Sequence, residues 1–589
     1  MSTDKGTLLR LLAFVLAVAG PLLLNAPWPP GISHANQIAA IAGWGLVLLF
    51  VPAPAASARV LRAVCPLLAV LGVAAVACVA SIVDGRLPSS PGIATMGIIA
   101  LAALVCLHGA SWGAAGARQV FEVFGIGLLV SGLCGVVIAL VQVFAGDQRS
   151  DTIVALASIS GRASGHIGQP NQFADVLLWG LVALLVLSRP RSEGTRRSIA
   201  LRALIVLAGL ALLLATVLTG SRTAFVSVAL LALWGVLDRS LGRDNRLLLG
   251  TAPLAVAAMV WLVHLWQRTH GLQLDMLYRG SPDLTSFRGD IWRQAATLIA
   301  AQPWLGVGWG HFNFAWTLTP FEQRGAGLVT NAHNLPLQLA VEVGVPVAVL
   351  MMGLILGALW RAFRCARRWP DERGIAARAI LMIVLVVGVH SMLEYPLWFA
   401  YLLFPTAWAW GLSLGMGTLA DDDRKAVAVP PALADPAPPR AWRIAGLLML
   451  VTGLSAWFDY LNIVSLYIAR PNMASLDDRI RSGRASPLFS SLADYVFTLH
   501  PTPSVDPLPV IERSSHVLLN GWLMLSWANA LDARGQTDKA RYLAARLREF
   551  KLEGAKAFFA PCSDPAVSVK PYQCTPPSTA FTWRDFERD

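Results

Sequence analysis

The sequence predicts an all-α polytopic membrane protein with about thirteen transmembrane helices, and three observations lead to that prediction. Of its 589 residues, 56% are hydrophobic and only 14% are charged, whereas a soluble globular chain usually carries about 25% charged residues. The mean hydropathy is +0.58. Apolar runs of about 20 residues, the length that crosses the hydrocarbon core of a bilayer, recur along most of the chain.

These apolar runs define the predicted spans. They lie at 8–24, 36–54, 61–83, 91–108, 120–145, 173–188, 199–218, 223–238, 247–266, 334–360, 377–395, 397–419 and 443–468. Because the first run is only one of many, we interpret it as a retained span and not as a cleaved signal.

Arginine is concentrated in the short connections from even-numbered to odd-numbered spans. Arg189 and Arg191 follow the sixth span, and Arg361 and Arg364 follow the tenth. Positive residues mark cytoplasmic loops, so the other loops and the C-terminal segment are predicted to face the periplasm, across a bacterial inner membrane. This pattern accounts for the net charge of +12, and nucleic acid is therefore not an expected partner.

The predicted spans and loops divide the chain into four parts. Residues 1–420 form a transmembrane core that includes a long periplasmic loop at 267–333. Residues 421–442, rich in Pro, Ala and Asp, form a cytoplasmic linker, and 443–468 is the last span. Residues 469–589 form a small helical periplasmic domain.

The C-terminal domain contains a helical hairpin and a pair of cysteines. The stretch 520–550 is typical of a single tetratricopeptide-like unit, broken at Gly535 and Gln536. Cys562 and Cys574 are a possible disulfide, because the predicted periplasmic location is an oxidising compartment.

Polar clusters in the predicted periplasmic loops hold the candidate site residues. They are His166, Gln169 and Asn171 before span six, Arg222 in a tight turn, Arg279, Arg288 and Arg293 in the long loop, Asn331, His333, Asn334, Gln338 and Glu342 where span ten begins, and His390 and Glu394 between spans eleven and twelve.

The cluster before span six also has a structural interpretation. Pro170 favours a turn, and Asn171 could cap the helix that follows. In that case His166 and Gln169 remain available as ligand contacts.

The candidate arginines have structural interpretations too. Arg222 could extend to lipid headgroups, but an arginine in a tight turn on the arginine-poor outer side favours a function. The segment 286–301 is predicted as an amphipathic helix at the membrane interface, on which Arg288 and Arg293 could be solvated charges. The glycine-rich stretch 303–311 matches neither nucleotide-binding pattern and is predicted to be a tight turn packed with aromatic residues.

Two candidate clusters pair an acidic residue with a neighbour four positions away. Gln338 and Glu342 share one helix face, and Glu342 is expected to face a protein cavity or pair with arginine, because a carboxylate is costly in a bilayer. His390 and Glu394 would likewise point the same way on a helix. Zinc could use such ligands, but no His-Glu-x-x-His motif or cysteine pair supports it. The sequence therefore predicts neither metal nor cofactor.

Taken in order, these segments resemble the O-antigen ligase and polymerase superfamily. The match covers roughly 150–405 and consists of the GQPNQ segment, the TGSR turn, the SFRGDIW helix, the NAHN entry and the HSMLEYPLW turn. Each motif is weak alone, whereas the ordered set is specific. The Gln-Pro-Asn cluster, the His-Ser-x-x-Glu-Tyr-Pro turn and the C-terminal domain resemble the PglL-type protein O-oligosaccharyltransferases more than the lipopolysaccharide ligases.

The resemblance implies a GT-C-like fold and an inverting, metal-independent glycosyltransferase. The donor would be an undecaprenyl-diphosphate-linked oligosaccharide, and the acceptor a Ser or Thr hydroxyl of an exported, pilin-like protein. By similarity, Arg222 and Arg288 match arginines that hold the diphosphate, and His333 matches an essential periplasmic histidine. The other clustered residues are possible supporting groups, with either Glu342 or Glu394 orienting the histidine or an arginine.

Two functional classes stay open. One is a lipid-linked glycan transferase, acting on a protein or alternatively on lipid A core or a growing polymer. The other is a polysaccharide exporter. Transporters usually place charged groups near the bilayer midplane and show internal repeats. Here the polar groups crowd the outer edge and no such repeat is visible, which favours the transferase.

Overall fold

The computed structural model describes residues 5–31, 33–116, 118–145, 153–156, 161–189, 198–270, 288–322, 324, 328–369, 372–419, 439–468, 471–501, 505–550 and 552–587. Across these ranges the regular structure is helical and no β-strand is formed. The predicted all-α class is confirmed.

The helices are numbered in chain order. Helices α1 to α10 are Lys5–Leu23, His34–Phe50, Ala58–Val83, Ser89–Ala114, Arg118–Phe144, Pro170–Leu187, Ile199–Leu218, Arg222–Leu237, Arg243–Gly250 and Ala252–His270. Helices α11 to α23 are Arg288–Ala301, Phe312–Leu318, Leu335–Val343, Val345–Arg368, Glu372–Ser391, Ala400–Met416, Arg440–Tyr467, Leu476–Arg484, Ser490–Leu499, Leu508–Ser515, Gly521–Ala533, Thr537–Glu549 and Lys556–Ser563.

Within the described ranges, eight helices are long and apolar enough to cross a membrane: α3, α4, α5, α6, α7, α14, α15 and α17. Helices α9 and α10 meet at a 49° bend and make a ninth if they form one crossing. Helices α1, α2 and α8 are apolar but shorter; helices of this length rise roughly 25 Å. Each predicted span corresponds to one helix or to a broken pair, so the multi-pass character is confirmed. The number of crossings and their orientation stay predictions.

The predicted span 334–360 is broken at Gly344. This residue has a φ of +79°, and a Cβ added to it would overlap the carbonyl oxygen of Trp304. Glycine adopts this backbone conformation readily. The N–H of Val345 then donates to the carbonyl of Pro303 at 2.8 Å. Consequently α13, with Gln338 and Glu342, is separate from the long apolar helix α14.

The chain divides into two compact units. The first comprises residues 1–69, 100–281 and 354–457, and the second 70–99, 282–353 and 458–589. In the first unit, α4 and α16 approach closely through glycines. A Cβ on Gly109 or Gly113 would overlap backbone atoms of α16, and a Cβ on Gly411 or Gly415 would overlap those of α4. Small residues permit this backbone contact between membrane helices.

In the second unit, the C-terminal segment packs around residues of the long loop. Phe314 and Trp316 from the loop share one apolar core with Trp527 from α21. Helices α21 and α22 form the hairpin predicted from the sequence, with Gly535 at the turn in a left-handed conformation of φ +77°. The division of the chain into four domains stays a prediction.

Two links stabilise this segment further. Cys562 and Cys574 are joined by a disulfide, with their Cα atoms 5.1 Å apart. The buried guanidinium of Arg324 lies 3.2 Å from the Glu549 carboxylate on α22, and it donates to the carbonyl oxygen of Trp316.

Candidate active site

In the first unit, the loop before α6 is attached to the turn that carries Arg222. The guanidinium of Arg162 donates to the carbonyl oxygen of Thr219 at 2.7 Å and to that of Gly220 at 3.4 Å. Ala163 adds a backbone hydrogen bond to the last turn of α7. Arg162 therefore contacts the turn that directly precedes Arg222. Arg162 was missed from the sequence, because only the fold shows where its loop attaches.

The turn itself is shaped by Gly220 and Ser221. Gly220 has a φ of +59°, and the Ser221 hydroxyl accepts the N–H of Ala224 at 3.3 Å. This cap starts α8 at Arg222, whose side chain is partly buried. Gly220 and Ser221 therefore fix Arg222 as the first residue of α8.

Gln169, and not Asn171, caps α6. The side-chain oxygen of Gln169 accepts the N–H of Gln172 at 2.9 Å. Pro170 occupies the first helical position, where a missing N–H costs nothing, so the cap falls one residue before the proline. Asn171 is helical and donates to the Glu394 carboxylate at 3.3 Å. The capping role expected for Asn171 is wrong, and Gln169 has a structural partner of its own.

His166 also has a structural partner. Its Nδ1 lies 2.7 Å from the carbonyl oxygen of Leu23, and burial lowers the pKa of this imidazole, although the Leu23 carbonyl opposes the shift. Gln142 secures the same loop, accepting from the N–H groups of Ser164 and Gly165 at 2.9 and 3.0 Å. The expectation that His166 stays available for a ligand is therefore not supported at Nδ1.

His390 pairs with a carboxylate that the sequence analysis did not single out. Its Nδ1 lies 2.5 Å from Asp175 Oδ2, and both side chains are fully buried. Helix α15 ends at Ser391, and the N–H of Glu394 turns back to the His390 carbonyl at 2.9 Å. The expectation that His390 and Glu394 share a helix face is wrong, because the helix ends between them.

In the second unit, His333 lies in a left-handed turn with a φ of +49°. Residues other than glycine rarely adopt this conformation. The two neighbouring asparagines support it: Asn331 Oδ1 accepts the N–H of His333 at 3.0 Å, and Asn334 Oδ1 caps α13 through the N–H of Leu337 at 3.0 Å. Such strain persists where the surroundings hold it, and it clusters at functional sites.

Gln338 and Trp292 fix the peptide that precedes His333. Gln338 Oε1 accepts the N–H of Ala332 at 2.6 Å, and Trp292 Nε1 donates to the Ala332 carbonyl at 3.1 Å. Gln338 Nε2 donates to the Glu342 carboxylate at 2.9 Å. A continuous set of hydrogen bonds therefore runs from Glu342 to the His333 turn.

Among the described residues, Glu342 is held by the Gln338 side chain and by backbone donors. The N–H groups of Gly310 and Phe312 bond to its side chain, while burial raises the pKa of the carboxyl group to about 7. Its backbone carbonyl accepts the N–H of Gly308 at 3.0 Å. Of the two expected environments, a protein interior or an arginine partner, the described residues show the first, because the glycine-rich stretch wraps this buried side chain. Gly306, Gly308 and Gly310 all have positive φ, as the predicted tight turn requires.

The three candidate arginines of the long loop differ in what the structure describes of them. Arg288 starts α11 and is half-buried. Arg293 is exposed and forms an ion pair with Asp290 on the same helix, which agrees with a solvated surface charge. Arg279 lies outside the described residues.

Three family models match parts of this chain. A family model described as O-antigen ligase matches residues 207–352, and one described as virulence factor membrane-bound polymerase, C-terminal, matches 375–557. A third, described as protein glycosylation ligase, matches 163–187. The first region includes Arg222 and His333.

Two curated relatives come from Acinetobacter baylyi. A ComP-specific O-oligosaccharyltransferase is 26% identical over 302 residues, which cover 49% of this chain and 52% of that protein. A general O-oligosaccharyltransferase is 28% identical over 189 residues, 32% of this chain and 30% of that protein. The chain thus spans about half the length of the first relative and less than a third of the second.

Proposed function

We propose that the chain belongs to the O-antigen ligase and polymerase superfamily, in its PglL-type branch, and that it transfers an oligosaccharide to exported proteins. The donor is an undecaprenyl-diphosphate-linked oligosaccharide, moved en bloc. The acceptor is a Ser or Thr hydroxyl of a pilin-like protein, and the reaction takes place at the periplasmic face of the inner membrane. The names of both curated relatives support this activity.

The observation that carries the proposal is the strained His333 turn. A buried set of hydrogen bonds from Glu342 through Gln338 to Ala332 holds this turn. A turn that only connected two helices would not need a left-handed histidine, because glycine or asparagine adopts that conformation at lower cost. The arrangement supports a role for His333 that depends on the direction of its side chain.

On the donor side, the family resemblance assigns both Arg222 and Arg288 to the phosphates of the lipid diphosphate. A planar guanidinium donates two parallel hydrogen bonds to phosphate oxygens. The positive charge stabilises the negative charge that develops on the leaving group. Arg162, bonded to the turn that carries Arg222, is a third arginine for this role.

On the acceptor side, His333 acts as the general base. Histidine readily takes and releases a proton near neutral pH. As the imidazole takes the hydroxyl proton, the acceptor oxygen bonds to the anomeric carbon. The bond from that carbon to the phosphate oxygen breaks, and its electron pair leaves with the lipid diphosphate. Direct attack inverts the anomeric centre.

The experiment is mass spectrometry of exported proteins from cells that carry the chain, lack it, or carry His333→Ala. The proposal expects glycan on Ser or Thr only with the intact chain. Glycan on lipid A core, or longer polymer without protein modification, would instead support the ligase or polymerase alternative. Equal protein glycosylation in all three strains would refute the proposal.

A further inference from the structure

The glycine-rich turn of the second unit presents two large apolar side chains outward. Trp304 is 73% exposed and Leu305 is 82% exposed, and the two are adjacent in the loop between α11 and α12. We call this pair the apolar tip. A single exposed apolar residue is common on protein surfaces, whereas exposed apolar clusters mark contact sites for a membrane or another protein.

The backbone of the apolar tip is fixed to α13 and to the start of α14. The N–H of Val345 donates to the carbonyl of Pro303, and the N–H of Val307 donates to that of Val341, each at 2.8 Å. Gly306 has a φ of +68°, and a Cβ added to it would overlap the backbone of Val341. The tip is therefore held at the first turn of α14 on both sides.

Helix α14 sets the level of the tip relative to the bilayer. It is long and apolar enough to cross a membrane, and Val349 and Leu350 in its early turns are 65% and 54% exposed. Its other end carries arginines, and the helical rise from Val345 to Arg364 is about 29 Å. This length matches a hydrocarbon core of about 30 Å. With Arg364 at one boundary of the bilayer, Val345 and the attached tip lie at the other.

Helix α3 gives the same level independently. The N–H of Trp309, in the same glycine-rich turn, donates to the Ser81 hydroxyl at 2.7 Å. Ser81 lies near the end of α3, which is also long and apolar enough to cross a membrane. The helical rise from Arg62, near the start of α3, to Ser81 is again about 29 Å. Both helices therefore place the turn at the boundary opposite their arginine-bearing ends, which the arginines predict to be periplasmic.

We propose that the apolar tip inserts into the periplasmic leaflet of the bilayer, so that its partner is a lipid surface. Tryptophan concentrates at the level of lipid headgroups, because its ring is largely apolar and its N–H can reach a polar partner. Leu305 beside it reaches the acyl chains. A docking site for a soluble protein would not need to lie at this level.

The insertion would fix the depth of the His333 turn. The glycine-rich turn that carries the tip also holds the Glu342 carboxylate through the N–H groups of Gly310 and Phe312, and Glu342 is connected through Gln338 to the His333 turn. The bilayer contact thereby keeps this set near the headgroups, where a lipid-borne diphosphate lies. This consequence rests on the proposed transfer, whereas the bilayer contact itself does not.

The test measures what surrounds the tip in the full-length protein, reconstituted in nanodiscs of phosphatidylethanolamine and phosphatidylglycerol. The exposed Cys65 and Cys134 are replaced by serine, and Trp304→Cys carries a thiol-linked fluorophore. The matched control is Val569→Cys, 84% exposed in the polar segment between the disulfide cysteines. Lipids with a nitroxide near the headgroup should quench the label at 304 at least about threefold more than the label at 569. Aqueous iodide should show the opposite order.

Three results would overturn the proposal. Equal iodide quenching at both positions would show that the tip faces water, as a docking surface for another protein would. Shielding of the label at 304 from both quenchers would show that it is covered by protein. Loss of nitroxide quenching on addition of undecaprenyl diphosphate would assign the tip to the chain of the donor instead of the bilayer.

A second position guards against a misfolded variant. If Trp304→Cys lowers the thermal midpoint, Leu305→Cys replaces it, retains Trp304 and carries the same expectations. The measurement needs no glycan transfer, so a failure here would leave the proposed function to be tested separately by the analysis of exported proteins.

Discussion

Gln338 donates its side-chain N–H to the Glu342 carboxylate at 2.9 Å, while its oxygen accepts the N–H of Ala332 at 2.6 Å. Glu342 is itself fixed by the backbone of the glycine-rich turn. One amide therefore connects a buried carboxylate to the peptide that precedes His333. This relationship indicates that the position of the His333 turn depends on the buried side chains of Gln338 and Glu342.

The first prediction concerns that amide. Gln338→Met keeps the side-chain volume and removes both hydrogen bonds, each worth about 1 kcal/mol. Without these two hydrogen bonds the His333 turn should shift. The transfer rate should then drop by about tenfold or more, while donor binding stays near the parent value. The matched control is Gln302→Met, also in the second unit but away from this turn. Equal rates for Gln338→Met and the parent would mean that the amide only stabilises the fold.

The second prediction concerns the donor arginines. Arg222→Lys and Arg288→Lys keep the charge and lose the planar fork, so both should weaken donor binding and transfer strongly. Arg293→Lys is the control, because Arg293 is exposed and already paired with Asp290. Binding of a lipid-diphosphate donor by purified variants is the measurement. Near-normal binding by both variants would mean that Arg222 and Arg288 do not bind the diphosphate and instead contact lipid headgroups or solvent.

The third prediction concerns pH. His311 Nε2 lies 2.8 Å from His516 Nδ1 in the buried core of the second unit. Burial, followed by the charges of His516 and Arg86, holds the pKa of His311 well below its usual 6.5, although the Val307 carbonyl opposes the shift. The unfolded chain therefore takes up a proton on His311 near pH 6.5 that the folded chain does not. Folding stability should fall as the pH drops below about 6.5.

The measurement is the thermal midpoint of the parent and of His311→Phe between pH 8 and pH 5. Phenylalanine can keep the ring contact with Phe314, which stacks on His311 at 4.5 Å. Glu342 acts in the opposite direction, because burial raises its pKa from 4.5 to about 7, and its contribution is lost as the pH rises through that range. The difference between the two proteins reports the coupled pair of His311 and His516, because Glu342 is present in both. A parallel pH dependence in both would contradict the prediction.

The fourth prediction concerns stability of the second unit. The Arg324 guanidinium is buried against Trp316 and Phe550, with centroid distances of 4.3 and 4.5 Å. Burial lowers its pKa to about 10, opposed by Glu549, so the group stays charged at neutral pH. Arg324→Ala should lower the free energy of unfolding by about 2–4 kcal/mol. Arg534→Ala breaks an exposed pair with Asp506 and should cost less than about 1 kcal/mol. Equal losses in the free energy of unfolding for the two variants would contradict the prediction that the buried Arg324 stabilises the unit more than the exposed Arg534.

The sequence predicted the long apolar helices well, because a span must consist of apolar residues whatever it packs against. It did not predict the break at Gly344, since hydropathy continues across that glycine. Only the contact with Trp304 shows that the backbone turns there. The cap at Gln169 was likewise missed, because a proline one residue later moves the cap away from the usual asparagine.

The order of the polar motifs predicted the family, whereas most of the partners within each motif could not be read from spacing. Asp175 lies in an apolar run, and its pairing with His390 joins residues 215 positions apart. Arg162 is an ordinary loop arginine until its bonds to the TGSR turn are known. Such partners come from tertiary packing, which a single sequence does not display.

Donor binding and glycan transfer measured on the same purified His333→Ala protein test the central claim most directly. A general base contributes about 10²–10⁴-fold, so transfer should fall by that factor while the affinity for the lipid-linked donor stays near the parent value. His500→Ala, an exposed histidine in the same unit, should match the parent in both. Normal transfer by His333→Ala, or loss of donor binding together with transfer, would contradict the assignment of His333 as the base.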